Sequence, residues 1–220
     1  MVASSKTVIS EPPRQILYET LFVLVLTLVL ALLTPLTGIA VLLPIVYLFG
    51  EARLRHRSWA ELGFKPREFL QALRANWQWI LLVGVVLQIV VPVGAQLFYP
   101  AFLEHVRDRV PLLGSLQLLG IVGALLVSTL IEELSFRALF QERLSWFVGT
   151  PTAVLLVALL FGLMHISTGT SFVVALDVGF VILDGVLYGV IFARGKNLFA
   201  AWIAHFLADV IGVLFLLFWA

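Results

Sequence analysis

Apolar positions along this chain come in long unbroken blocks rather than in alternating or one-sided patterns. A helix rises ~1.5 Å per residue, so roughly 20 mostly apolar residues cross a bilayer core. The first block runs from Ile16 to Thr34 and is closed by the Thr34-Pro35 step. The second, Leu36 to Gly50, is short and contains Pro44, which predicts a tight hairpin return or a kinked, tilted span. Further blocks run from Ile80 to Phe98 (with Pro92 inside), Gln117 to about Trp146, Pro151 to Ile166, Phe172 to Phe192 and Leu198 to Trp219. The expected fold class is all-α, a polytopic transmembrane helix bundle of about seven spans.

Two polar stretches interrupt the blocks. Residues 51–76 form a basic loop carrying Arg53, Arg55, Arg57, Lys65, Arg67 and Arg74. Inside it, Pro66 to Trp79 reads as an amphipathic interfacial helix on the cytoplasmic side, with Phe69, Leu70 and Leu73 on one face. Its Trp77 and Trp79 suit the headgroup belt. The second stretch, a loop from Phe98 to Leu113, carries Glu104, Arg107, Asp108 and Arg109. No repeat or low-complexity tract divides the chain, so residues 1–220 are expected to form one membrane domain.

Composition agrees with the pattern. The chain is 61% hydrophobic and 12% charged, against about half and about a quarter for soluble domains. The bilayer is therefore its solvent. A net charge of +1 gives no field that would attract nucleic acid. Cysteine is absent, which removes disulfides, thiolate metal sites and a cysteine nucleophile. The first apolar run exceeds a signal-peptide core and no small-x-small cleavage site follows it, so a retained anchor is expected. Lys6, Arg14, the six basic residues of the 51–76 loop, Arg143, Arg194 and Lys196 fall on one side, and Arg107 and Arg109 on the other. By the positive-inside rule the N-terminus is cytoplasmic and the C-terminus outside. Compact loops suggest a bacterial plasma membrane protein. The oligomeric state is not legible.

Three blocks carry ionisable groups that lipid should forbid. They are Glu132-Glu133-x-x-x-Arg137, Phe161-x-x-x-His165 and His205-x-x-x-Asp209. On a helix, residues four apart share a face, so Glu133 can pair with Arg137 and His205 stands one turn from Asp209. Glu132 points about 100° away from Glu133 and faces a different neighbour. Counting from Trp146, Pro151 and Asn197, Glu132 and His165 lie at roughly 21 Å depth, Asp209 at about 18 Å and His205 at about 12 Å. An unpaired charge at a helix centre costs roughly 2.5–3.5 kcal/mol on insertion scales, so these groups should meet inside the bundle. A carboxylate free of arginine, two imidazoles and a third acid can activate water and stabilise an oxyanion. Ser135 lies on a different face from Glu132 and is a poor nucleophile.

These motifs, in this order, resemble those of the CAAX prenyl protease 2-like family of intramembrane endopeptidases, also called the CAAX protease and bacteriocin-processing (CPBP) family. The family pattern is EExxxR, FxxxH and HxxxN or HxxxD on successive membrane helices. The resemblance covers about residues 115–215, and Glu61-Leu62-Gly63-Phe64 before a basic residue is also similar to the family. It implies that Glu132 is the water-activating base assisted by His165, that His205 and Asp209 stabilise the oxyanion, and that Glu133, Arg137 and Phe161 support them. Prenyl-protein processing enzymes have Asn where this chain has Asp209; an aspartate donates a hydrogen bond only when protonated, and the alternative is that it orients His205.

Glu132, His165 and His205 also form a two-histidine, one-carboxylate set that could hold Zn2+ with one open position, though HExxH is absent and a metal-free mechanism is favoured. Asp177 and Asp184, seven apart on one face, are expected to back a histidine or to line an opening toward the outer side. Gly185-x-x-x-Gly189 predicts close helix packing. His56 and His105 are expected in loops, solvated. The expected partners are the lipid bilayer and a peptide or protein substrate at the membrane. The roles expected are CAAX-type cleavage, or bacteriocin and peptide processing or immunity. The competing classes are a proton-coupled transporter and a catalytically inactive scaffold.

Overall fold

The computed structural model describes residues 13–110 and 117–219. Lys6 and residues 111–113 of the second polar stretch lie outside the described residues. All regular structure among the described residues is helical. The elements are α1 (Arg14–Leu33), α2 (Thr37–Leu54), α3 (Pro66–Phe98), α4 (Pro100–Arg109), α5 (Leu118–Val148), α6 (Thr150–Leu163), α7 (Ser171–Gly195) and α8 (Leu198–Phe218). Six of them, all but α4 and α6, are long and apolar enough to cross a membrane. The shorter α6 is apolar as well, but its 14 residues fall below that length. The protein is an integral membrane helix bundle.

α1 and α2 form an antiparallel hairpin, and Pro44 sits within α2 without ending it. Ion pairs on the buried Glu51 secure the end of this hairpin, and the one from Arg143 ties it to α5. Glu51 of α2 receives Arg143 of α5, Arg55 (2.9 Å) and Arg57 (3.6 Å). Arg55 in turn reaches Glu19 of α1 at 2.8 Å. The segment Glu61-Leu62-Gly63-Phe64 docks on the turn between α7 and α8. Gly63, at φ 89°, presents its carbonyl to the amide of Leu198 at 2.9 Å. Asn197 donates to the Lys65 carbonyl at 2.9 Å and caps α8 through the amide of Ala200.

The amphipathic stretch 66–79 is helical as expected and runs without a break into the third span. It is the first part of α3, which continues through a π-helical turn at Leu82–Val86 to Phe98. Ala72 and Asn76 form its buried face, while Leu70 and Trp77 point outward. The 99–110 stretch is a helix rather than a loop: Tyr99-Pro100 starts α4, with proline in the first turn where its missing N–H costs nothing. Phe102 and Leu103 bury the apolar side of α4 against α7 and the end of α8.

α5 also changes pitch. Its α-helical part ends at Glu133 and eight residues, Leu134–Gln141, are wound as π-helix. π segments are rare and concentrate at functional sites. This one is buried along its whole length against α2, α6 and α7. α7 reaches it closely because its glycines face it: the carbonyls of Gly185 and Gly189 accept from Arg137 and Gln141 at 3.2 and 2.9 Å. A Cβ on Gly185 would meet Ala158 backbone at 3.3 Å and Phe161 at 3.2 Å.

Candidate active site

The C-terminal half of α5, the end of α6, the middle of α7 and α8 meet at one point. Glu132 and Glu133, adjacent on α5, diverge there as the helical angle requires. Glu133 is fully buried, and its Oε1 accepts from His205 Nδ1 at 2.9 Å. Its Oε2 lies 3.4 Å from Arg137 Nε, one turn on. Glu132 instead turns toward the far side of the same imidazole, with Oε2 3.7 Å from His205 Nε2. Asp209 approaches that nitrogen from its own helix at 3.8 Å. His205 is thus bound on one edge and faces two carboxylates on the other.

The rings around it fix its plane. Tyr188 of α7 stacks on His205 at 4.4 Å with 17° between planes, and Phe161 meets it edge-on at 5.7 Å. The Arg137 guanidinium is 1% exposed and lies over Phe136, Phe161 and Tyr188 at 5.9, 5.1 and 5.4 Å. A guanidinium is weakly hydrated and binds aromatic faces, so this pocket offsets part of its desolvation. His165 stands just beyond the last turn of α6, its ring 4.5 Å from Phe161. Its Nδ1 is 2.7 Å from the Phe161 carbonyl. A carbonyl only accepts, so Nδ1 carries the proton and Nε2 of the neutral ring presents a lone pair.

Glu132, His165, His205 and Asp209 all line one cavity of about 230 Å³. The rest of its wall is apolar side chains of α3, α4, α7 and α8, with Gln88, Asp177, Asp184, Tyr188 and Arg109 among them. Glu132 and Asp209 are about a third exposed, because the cavity reaches them, whereas His205 is 3% exposed. The four residues expected to do chemistry therefore share one hollow, and Glu133, Arg137 and Phe161 stand behind it.

Beyond the expected residues, Gln88 of α3 donates to Asp184 at 3.0 Å and to the Val83 carbonyl of the π-helical turn at 3.2 Å. Asp177 binds Arg109 (2.9 Å) and His105 (3.3 Å), both from α4, and Ser167 lies 3.2 Å from His105. His105 is therefore not solvated in a loop: its side chain is 7% exposed, and it joins α4 to α7 and to the turn that follows His165. Asp177 does back a histidine, but His105 rather than one of the motif pair. His56, at φ 54°, is exposed as expected. The sequence reading missed Gln88 and Tyr188; the signal for Tyr188 was a phenol in mid-span, where lipid gives it no hydrogen-bond partner.

The Zn2+ set does not gather. Among the described residues no three His, Asp or Glu side chains come together as metal ligands. His205 Nδ1 is held by Glu133, and Nδ1 of His165 by a backbone carbonyl. With Nδ1 so held, each imidazole has only Nε2 left as a possible ligand, the usual division in metal-ligating histidines.

The site is thus a membrane-embedded hollow lined by Glu132, Asp209, His165 and His205 within an all-helical bundle. Comparison with known proteins gives one likeness. The model described as Type II CAAX prenyl endopeptidase Rce1-like matches residues 114–211, the segment that supplies Glu132, Arg137, His165, Tyr188, His205 and Asp209, so this part of the chain is similar to that family. Neither the curated proteins nor the solved structures yielded a match.

Proposed function

We propose that the protein hydrolyses a peptide bond inside the membrane with water activated by Glu132. The observation that carries this reading is the setting of His205. Glu133 holds its Nδ1, and its Nε2 faces Glu132 and Asp209 across the cavity. Glu132 takes a proton from water as the water oxygen bonds to the substrate carbonyl carbon, and the carbonyl electron pair moves onto oxygen. His165 Nε2, a free acceptor, holds that water beside Glu132. His205, when protonated, donates from Nε2 to the oxyanion. Asp209 either donates as an acid or keeps the imidazole in line. As the C–N bond breaks, Glu132 returns its proton to the leaving nitrogen.

The ends of the bundle support a direction of approach. Arg14, Arg53, Arg55, Arg57, Lys65, Arg67, Arg74, Arg143, Arg194 and Lys196 gather at one end, where Lys196 binds Glu142 and Lys65 reaches the Gly195 carbonyl. The cavity wall includes Phe102, Leu103, Val106 and Arg109 of α4, at the other end. With the basic end cytoplasmic, the cavity opens toward the outer side. A substrate would then be a translocated peptide or the outer flank of a membrane protein. Maturation or clearance of a secreted peptide, including bacteriocin processing or immunity, in a bacterial plasma membrane fits that geometry better than trimming of a cytosolic lipidated tail. Polar groups concentrated in one cavity also favour hydrolysis over a proton relay strung through the membrane depth.

The test is cleavage of internally quenched peptides by the purified protein in lipid nanodiscs, alongside Glu132→Gln, His165→Ala and His205→Ala. Cleavage by the native protein that disappears in the Glu132 variant supports the reading. Equal cleavage by that variant, or none by either, ends it. A chelator added to the same assay reports whether Zn2+ is required.

A further inference from the structure

Most hydrogen-bond donors on the cavity floor are committed to the protein. His205 Nδ1 is held by Glu133, while its Nε2, 3.7 Å from Glu132 and 3.8 Å from Asp209, is the donor already assigned to the oxyanion. Nδ1 of His165 goes to the Phe161 carbonyl, and the Gln88 amide to Asp184 and Val83. Tyr188 differs. Its side chain is 1% exposed and lines the cavity, yet its hydroxyl makes no hydrogen bond to any described residue. A buried phenol ordinarily finds a partner, and leaving it without one is costly. Its partner is therefore whatever fills the cavity.

The ring is also placed with care. It lies flat on His205, with the Arg137 guanidinium over its face. A packing role alone needs only the ring, and phenylalanine would supply it at lower cost. The hydroxyl calls for a further reason. Asp209 reaches the same side of His205, 3.8 Å from Nε2, and a carboxylate offers an oxyanion no N–H. The site is short of one neutral donor at that point.

We infer that Tyr188 is a further catalytic residue, its hydroxyl donating a hydrogen bond to the carbonyl oxygen of the scissile peptide as negative charge builds there. The inference rests on the hydrolytic reading above. Tyr188 keeps its own proton throughout: the proton released by water goes to Glu132 and then to the leaving nitrogen, so no charge is left over.

The test uses the full-length protein in lipid nanodiscs with the native chain, Tyr188→Phe and Glu132→Gln side by side. Tyr188→Phe preserves the stack on His205 and removes only the hydroxyl. It is expected to lower kcat about 100-fold with KM unchanged, as loss of one oxyanion donor does elsewhere, and to unfold at the native midpoint. It is also expected to weaken binding of a peptidyl trifluoromethyl ketone, which forms a tetrahedral oxyanion, without weakening binding of the uncleaved peptide. Native-like kcat in Tyr188→Phe, where Glu132→Gln is inactive, overturns the inference and leaves the hydrolytic reading standing. A fall in kcat with an equal loss of peptide binding or of thermal midpoint also overturns it, because the ring would then be merely structural. Absence of Glu132-dependent cleavage in the native chain overturns the hydrolytic reading and this inference with it.

Discussion

Glu133 Oε1 and His205 Nδ1 meet at 2.9 Å although 72 positions separate them along the chain. The contact is buried and leaves one face of the imidazole edge, Nε2, for the cavity. A carboxylate on Nδ1 fixes which nitrogen of the imidazole carries the proton. Glu133→Gln keeps the shape but removes the charge and allows the amide to present its NH2 instead. The expected outcome is a fall in kcat of about 10–100-fold, the range seen when a partner that orients an active imidazole is lost. KM should stay within about twofold, since Glu133 is shielded from the cavity by His205. Steady-state cleavage assays decide this, and a raised KM with native kcat would contradict it.

Arg137 and Glu133 form the most deeply buried ion pair on the site, at 3.4 Å with both side chains essentially sealed. Removing one partner of such a pair strands the other, at a cost of about 3–5 kcal/mol, whereas replacing both by apolar groups of similar volume is often nearly neutral. Arg137→Met alone is therefore expected to lower the thermal midpoint sharply at a fixed scan rate. Glu133→Leu combined with Arg137→Met should recover most of the loss while remaining inactive, because His205 has then lost its acceptor. A double variant no more stable than either single one would show that the Gly185 carbonyl contact and the aromatic shell, rather than the pair, hold the residues in place.

Close approach of α6 and α7 positions Phe161, which touches His165, His205 and Arg137 at once. A methyl on Gly185 would press on the Ala158 backbone, which cannot rotate away, and on the Phe161 ring. Overpacking of this kind typically costs about 1–3 kcal/mol. Gly185→Ala should thus lower both stability and kcat, whereas Gly94→Ala, where an added Cβ has open space, should lower neither. Thermal unfolding and cleavage measured on the same two preparations give the comparison.

What the sequence disclosed about this site follows from helical geometry. Apolar runs and four-residue spacing are local properties, so the spans, the Glu133–Arg137 pair and the divergence of Glu132 from Glu133 were legible without coordinates. Depth counting placed Glu132, His165 and Asp209 at similar levels, and the shared cavity agrees. Tyr188 and Gln88 were not legible, because their roles depend on how α3 and α7 rotate about their own axes, which tertiary packing decides. The pairing of His105 with Asp177 was hidden for a related reason: the polar residues of 99–110 resemble a solvated loop until Phe102 and Leu103 find a surface to cover. The π segment Leu134–Gln141 leaves no period a reader could detect, since it changes pitch within an already apolar helix.

Glu61, the acid in the motif-like stretch ahead of α3, tests the boundary between site and scaffold. It belongs to a capping box: its carboxylate accepts from the Ser58 amide and hydroxyl, both at 2.7 Å, while its own amide donates to Ser58 Oγ. The backbone hydrogen bond from Ser58, then its hydroxyl, hold the Glu61 carboxyl below the usual glutamate range. A group whose pKa is depressed in the folded state adds stability above its unfolded pKa and loses it as pH falls through the folded value. Glu61→Ala should therefore destabilise the Ser58–Phe64 segment at neutral pH, by roughly 1 kcal/mol for a lost cap. The difference from the native chain should shrink as the medium is acidified below the ordinary glutamate value of about 4.3 and through the lower folded value, where the native carboxyl takes up its proton. Cleavage by Glu61→Ala at neutral pH should match the native rate, since the capping box lies at the basic end and lines no part of the cavity. Hydrogen exchange of residues 58–64 across pH reads the first expectation, and the peptide assay reads the second. Loss of cleavage with unchanged exchange would move Glu61 from scaffold to site.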